Sequence, residues 1–174
     1  AAIFAACGNE RDRTMLALAY GCGLRLSEVL ALRVQDIDGE RRMLRIRQGK
    51  GAKDRLVPLS PSLLERLRGY WRRYRPRGWL FPGKGGRALS ATTLQKAFTD
   101  AKRRARITKD GGIHALRHAY ATHQLAAGLG VERLQRLMGH NSINTTLRYV
   151  HWLPSASEGE GALDLLAKLE VANG

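Results

Sequence analysis

Cysteine is scarce in this chain: Cys7 and Cys22 are the two it has. Two cysteines make neither a disulfide framework nor a zinc cluster, and they read as small buried hydrophobes in a reducing cytosol. Long apolar runs are missing as well, and none approaches the roughly 20 residues of a membrane span. Residues 1–7 are apolar but too short, and too poor in preceding basic residues, for a signal peptide. No internal repeat and no low-complexity block is present. The chain begins with Ala1 rather than Met, so an N-terminal part is expected to be missing from it. Acidic residues are few, 15 against 30 Lys and Arg, which leaves a net charge of +15. That excess either repels itself or meets an anionic partner. Double-stranded DNA is the expected partner, because each neutralised phosphate releases condensed counterions. A cytoplasmic, nucleoid-associated location and no membrane contact follow as expectations.

What is present is enough for one domain with a core: 174 residues, 44% of them apolar. Residues 11–20 read as a helix stopped by Gly21 and Gly23, and Ser27 reads as the N-cap of a short helix over 28–32. Residues 43–47 and 55–59 alternate as half-buried strands do, and the turn-rich stretch 48–54 joins them into a hairpin with a basic tip. Pro61 opens a helix running to about residue 74, residues 79–82 are extended, and 83–87 form a loop. Ser90 caps a helix with Leu94, Ala97, Phe98 and Ala101 on one face. Further helices are expected over 113–127, 131–138 and 142–149. Residues 154–161 read as a flexible linker, and 162–171 as a tail helix with Leu163, Leu166 and Leu169 at helical spacing. The expected class is mainly α with a small antiparallel β-sheet (α+β). One domain is expected over residues 1–153, with linker and tail over 154–174.

Four segments carry residue types suited to phosphate chemistry. Arg25, in Gly23-Leu24-Arg25-Leu26-Ser27-Glu28, follows a glycine turn and precedes a helix start, so a phosphate there would meet a guanidinium fork and helix N–H groups. Lys50, in Gly49-Lys50-Gly51-Ala52-Lys53-Asp54, sits at a tight turn from which an amine could enter a groove or protonate a leaving oxygen. The spacing does not match a nucleotide-binding P-loop. His114 and Arg117, three apart, share one helix face. His118 would complete a zinc-type pair with His114, but no third ligand is evident. Gly139-His140 ends a helix, and Tyr149 follows nine residues later. Each segment alone also fits a plain structural role, as a solvated basic turn, a capped helix or a half-buried aromatic.

Taken together, Arg25, Lys50, His114-x-x-Arg117, Gly139-His140 and Tyr149 occur in an order that resembles the tyrosine recombinases, which include phage integrases and Xer-type recombinases. The resemblance runs from about residue 11 to residue 149 and shows no departure at these six positions. It implies the tyrosine recombinase catalytic-domain fold, with the family's N-terminal core-binding domain absent from this chain. It implies that Tyr149 attacks a DNA phosphorus to form a 3′-phosphotyrosine, with no metal and no nucleotide cofactor. Arg25 and Arg117 would hold the non-bridging oxygens, His140 would bond one of them, Lys50 would protonate the leaving oxygen, and His114 would take the tyrosine proton. Lys53 rivals Lys50 for the acid role. Glu28 matches an acidic position of the family, for which support of Arg25 is expected. Lys53, Arg55, Arg72, Arg73, Lys102 and Arg103 are expected to contact DNA. A homo-oligomer on DNA, a tetramer, is the expected assembly, with the tail docking on a neighbour or on its own domain. A type IB topoisomerase, a DNA-binding module without catalysis and a zinc-dependent nuclease stay open as alternatives.

Overall fold

The apolar helix after Asn9 becomes the centre of the molecule. The computed structural model describes residues 2–47 and 54–152. In it a short helix α1 (Ala2–Ala5) precedes α2 (Glu10–Gly21), which starts because Asn9 Oδ1 accepts the Asp12 N–H at 2.8 Å. Met15, Leu16, Leu18 and Ala19 of α2 are buried. Burying a side chain such as Leu16 contributes about 2–3 kcal/mol.

Helix α3 (Leu26–Ala31) begins two residues earlier than the Ser27 cap predicts. Arg25 holds the cap position, and the Glu28 carboxylate reaches back to accept the Arg25 N–H at 2.8 Å. An acidic residue three places into the helix thus outweighs the serine. A 3₁₀ turn (Val34–Asp36) leads into β1 (Ile37–Asp38), a strand that the sequence pattern does not announce. Strands β2 (Met43–Ile46) and β3 (Arg55–Pro58) follow, and the sheet runs β1-β2-β3, antiparallel throughout. The expected hairpin is therefore there, with Leu44 opposite Val57 and Ile46 opposite Arg55. The tip bearing Lys50 and Lys53 lies outside the described residues.

Helix α4 (Pro61–Tyr74) carries proline in its first turn, with Ser60 Oγ accepting the Leu63 N–H at 3.2 Å. The extended stretch 79–82 buries Leu80 and Phe81 and bridges Arg33 to Trp79 and Pro82 to Ala88. Ser90 caps α5 (Ala91–Arg104), as its sequence implies. Helix α6 (His114–Ala126) precedes α7 (Val131–Met138), which Gly139 closes in the left-handed conformation at φ 62°. Helix α8 (Ile143–Leu147) stops two residues short of the expected end. The Tyr149 N–H bonds the Thr146 carbonyl at 3.0 Å, three residues back, so the last turn tightens and a 3₁₀ turn (Val150–Trp152) follows. The linker and tail expected over 154–171 lie outside the described residues.

Helix α2 packs on α3, α4, α5 and α6. Its core takes in the sheet through Leu44, Ile46 and Val57. A second, smaller core forms from Tyr120, Ala121, Leu125, Leu134, Met138 and Tyr149, where α6 and α7 meet the end of the described chain. Among the described residues no helix is long and apolar enough to cross a membrane.

Candidate active site

The seam between the two cores is polar. Three arginines from separate elements converge there on one carboxylate. Arg25 Nη1 lies 2.9 Å from Glu28 Oε1, and Arg55 meets both Glu28 oxygens at 2.8 and 2.9 Å. Arg117 Nη1 stands 3.9 Å from Glu28 Oε2. The same arginines divide three consecutive carbonyls at the C-terminus of α7. Arg55 Nε donates to Leu137 O at 2.8 Å, Arg117 Nη2 to Met138 O at 2.7 Å, and Arg25 Nη2 to Gly139 O at 3.1 Å. Those carbonyls have no partner within a helix and stand at its negative end, so guanidinium groups satisfy both a bonding and an electrostatic need.

Arg117 also donates to the carbonyl of Gly23. That glycine is required twice over. Its φ is 62°, and a Cβ there would stand 2.3 Å from the Tyr120 ring. The turn before α3 can therefore approach α6 closely enough to hold Arg117.

Three positive groups around one negative group leave two charges of excess in a half-buried place. The Arg117 side chain is 8% exposed, and its pKa falls to about 10, through burial first and the nearby Arg25 next, with Glu28 opposing. It still carries its charge at neutral pH. Burial works to raise the Glu28 pKa, but hydrogen bonds from Arg55 and the Arg25 N–H, with the charges of both arginines, hold it below the ordinary carboxylate value. Glu28 thus stays ionised. Each guanidinium retains N–H donors beyond those used here, and the Arg25 side chain is 40% exposed. The seam therefore carries uncompensated positive charge, part of it open to solvent through Arg25.

His140 and Tyr149 flank this seat. His140 Nδ1 lies 2.9 Å from Thr146 Oγ1, and the Gln135 amide donates to the His140 carbonyl at 3.1 Å. Its pKa falls to about 4, through burial first and then the charges of Arg117, Arg25 and Arg55. At neutral pH the imidazole is therefore uncharged, and Thr146 fixes its orientation. The His140 and Tyr149 rings are near parallel at 9°, with centroids 6.1 Å apart. The His118 ring approaches Tyr149 from another side at 5.4 Å. Tyr149 is buried at 9% exposure, within the smaller core.

The fold thus gathers Arg25, Arg117, His140 and Tyr149 from across the sequence. His114 is exposed at the first residue of α6, one turn before Arg117. Lys50 and Lys53 lie outside the described residues. Arg72, Arg73, Lys102 and Arg103 are in the last turns of α4 and α5. Arg72 pairs with Glu65 at 2.7 Å and Arg103 with Asp100 at 2.9 Å, both on the surface.

Arg55, expected to contact DNA, has a side chain 9% exposed and bonded to Glu28 and to the Leu137 carbonyl at the end of α7. The signal was available. Residues 55, 57 and 59 alternate with the exposed Leu56, so Arg55 shares the inward face with Val57 and Leu59. The sequence also gives no hint that Thr146 holds His140, or that the His118 ring lies against Tyr149. Among the described residues no three His, Cys, Asp or Glu side chains group as metal ligands.

The fold and this seam define a class: a mainly helical domain with a small antiparallel sheet, in which a tyrosine is packed beside a neutral histidine and clustered arginines. The model of the phage integrase family matches residues 1–155, and the chain belongs to that family. It is 45% identical over 141 residues to an integrase/recombinase of Sinorhizobium fredii, covering 80% of this chain and 46% of that protein. It is 42% identical over 147 residues to tyrosine recombinase XerC 2 of Ralstonia nicotianae, covering 81% of this chain and 42% of that one. The chain spans about half the length of such curated relatives. Among solved structures, XerA recombinase superposes with a TM-score of 0.81 at 24% identity, over 98% of this chain and 61% of that one. XerH recombinase bound to its difH substrate superposes at 0.73 with 28% identity, over 81% of this chain and 42% of that one.

Proposed function

We propose that this chain cleaves and rejoins DNA strands by site-specific recombination, through a covalent 3′-phosphotyrosine at Tyr149. The observation that carries the proposal is the excess of positive charge from Arg25, Arg55 and Arg117 around Glu28, directly beside Tyr149 and the uncharged His140. A phosphodiester contributes the missing negative charge, and gains more on its non-bridging oxygens as the fifth bond to phosphorus forms.

In this reading Tyr149 Oη attacks phosphorus and the 5′-oxygen leaves. Arg25 and Arg117 hold the non-bridging oxygens, and stabilisers of this kind contribute about 3–4 kcal/mol each. His140 is neutral, so it donates from one ring nitrogen to a phosphate oxygen without adding charge. His114 takes the tyrosine proton, and Lys50 gives a proton to the leaving oxygen. A 5′-hydroxyl from a second strand then attacks the tyrosine ester and regenerates Tyr149. The ester conserves the bond energy, so the chemistry balances without metal or nucleotide.

DNA is the proposed partner, supported by the net charge of +15 and by relatives solved on DNA substrates. Arg72, Arg73, Lys102 and Arg103 are proposed as phosphate contacts, which position a duplex without reading its sequence. Exchange between two duplexes breaks four strands and each chain carries a single Tyr149, so a homotetramer is the proposed assembly.

The test is incubation with nicked suicide duplexes of randomised sequence in EDTA, followed by a denaturing gel. A protein–DNA band that resists chelator and disappears in Tyr149→Phe is expected. DNA bound in a native gel with no such band would leave a binding module. Relaxation of supercoils without exchange between two duplexes would point to topoisomerase action instead.

A further inference from the structure

We infer that Arg55 is a positioning residue of the active site, locking α3, β3 and the end of α7 into one register through Glu28 and the Leu137 carbonyl, without touching DNA. The inference rests on the reading of Tyr149 as nucleophile only for its catalytic readout.

Each nitrogen of the Arg55 guanidinium has an acceptor within the protein: Nη1 and Nη2 on the two Glu28 oxygens, Nε on Leu137 O. Both Arg55 and Glu28 side chains are 9% exposed. With its side chain 9% exposed and all three nitrogens bonded within the protein, Arg55 faces the seam rather than solvent. The consequences spread in three directions. Glu28 is also the partner of Arg25, so Arg55 fixes the carboxylate that aims an exposed guanidinium. Leu137 is three residues before His140, and the next two carbonyls belong to Arg117 and Arg25. A slip of the α7 terminus would carry His140 with it. Arg55 is also the first residue of β3, so the start of that strand is referenced to Glu28. One planar fork meets three oxygens on two elements, a geometry that lysine cannot reproduce.

The test compares Arg55→Met and Arg55→Lys with the unaltered chain in three measurements. These are affinity for a duplex as a function of salt, single-turnover covalent-complex formation at saturating DNA, and NMR titration of the His140 ring. Affinity and salt slope should stay within about twofold, because no phosphate contact is lost. The saturating rate should fall about 100-fold in both variants, the penalty typical of reacting groups displaced by an ångström. The His140 titration, set by burial first and then by Arg117, Arg25, Arg55 and Glu28, with Thr146 and Tyr149 against the ring, should move up from about 4 in Arg55→Met, which removes one of those charges. In Arg55→Lys, which keeps the charge but not the fork, it should also move as the α7 terminus shifts.

A large loss of affinity with a shallower salt slope and an unchanged saturating rate would make Arg55 a phosphate contact and overturn the inference. An Arg55→Lys chain that cleaves at full rate would overturn it too. If Arg55→Met does not fold, Arg55→Lys decides. If the unaltered chain forms no covalent complex, the reading of Tyr149 fails by itself, and the salt and NMR measurements still decide Arg55. An unchanged His140 titration in the folded variants would then refute it.

Discussion

The core around α2 draws on the sheet and on α3, α4 and α5, whereas the core around Tyr149 is six residues from α6, α7 and the turn after α8. The first is held by apolar burial: Met15, Leu16 and Leu18 are fully enclosed. Among the described residues the second has far fewer apolar side chains. The polar seam ties it to the first, with Arg25, Arg55 and Arg117 gripping the carbonyls of residues 137–139. The contrast teaches that the groups proposed for catalysis are also the mechanical joint. Tyr149, the proposed nucleophile, sits on the side with the smaller core, where local opening is expected to be easiest.

The sharpest way to break this contrast is to remove the carboxylate. Glu28→Gln leaves three clustered guanidiniums without their counter-charge and should destabilise the protein by about 3–5 kcal/mol, read by urea unfolding. Hydrogen exchange should show α7 and α8 opening before α2. Equal loss of protection in both cores would show that they are one unit.

Next in size is Gly23→Ala. A methyl group at φ 62°, pressed on Tyr120, should cost about 2–4 kcal/mol. The variant should also lose covalent-complex formation, because the Gly23 carbonyl anchors Arg117. A stable, active Gly23→Ala chain would show that the close approach of α2 and α6 is dispensable.

The His140 prediction concerns pH. Its folded pKa of about 4 lies below its ordinary 6.5. The unfolded chain therefore binds a proton over this interval that the folded chain does not. Stability from this group is complete above pH 6.5 and is lost as pH falls toward 4. His140→Asn should flatten the stability profile in that window. An identical slope in both proteins would remove the neutral, enclosed imidazole from the account.

Smallest are the surface arginines. Arg72→Ala and Arg103→Ala break exposed ion pairs and should change stability by less than about 0.5 kcal/mol. Each should lower the salt slope of DNA binding by about one if it meets a phosphate. Unchanged slopes would confine DNA contact to other residues.

Much of the larger core was legible because it follows local rules. Pro61, Ser90 and the alternation of 43–47 announced α4, α5 and β2. The smaller core was less legible. Helix α8 ends early because the Tyr149 N–H turns back to Thr146, a choice made by packing rather than propensity. The order of Arg25, Arg117, His140 and Tyr149 was readable, but their joint attachment to residues 137–139 was not, since the partners are main-chain carbonyls that any sequence supplies. The burial of Arg55 was less legible, because a basic residue beside a basic stretch looks like a surface group, although its strand register points inward.

Tyr149, seated beside this charged seam, is the residue proposed to form the bond to DNA. The most direct measurement is mass spectrometry of the denatured complex after nuclease and protease digestion. The account predicts a phosphonucleotide mass on the peptide that carries Tyr149, formed in EDTA and absent from Arg117→Met. A nucleotide attached to any other residue, or none at all while DNA remains bound, would contradict it.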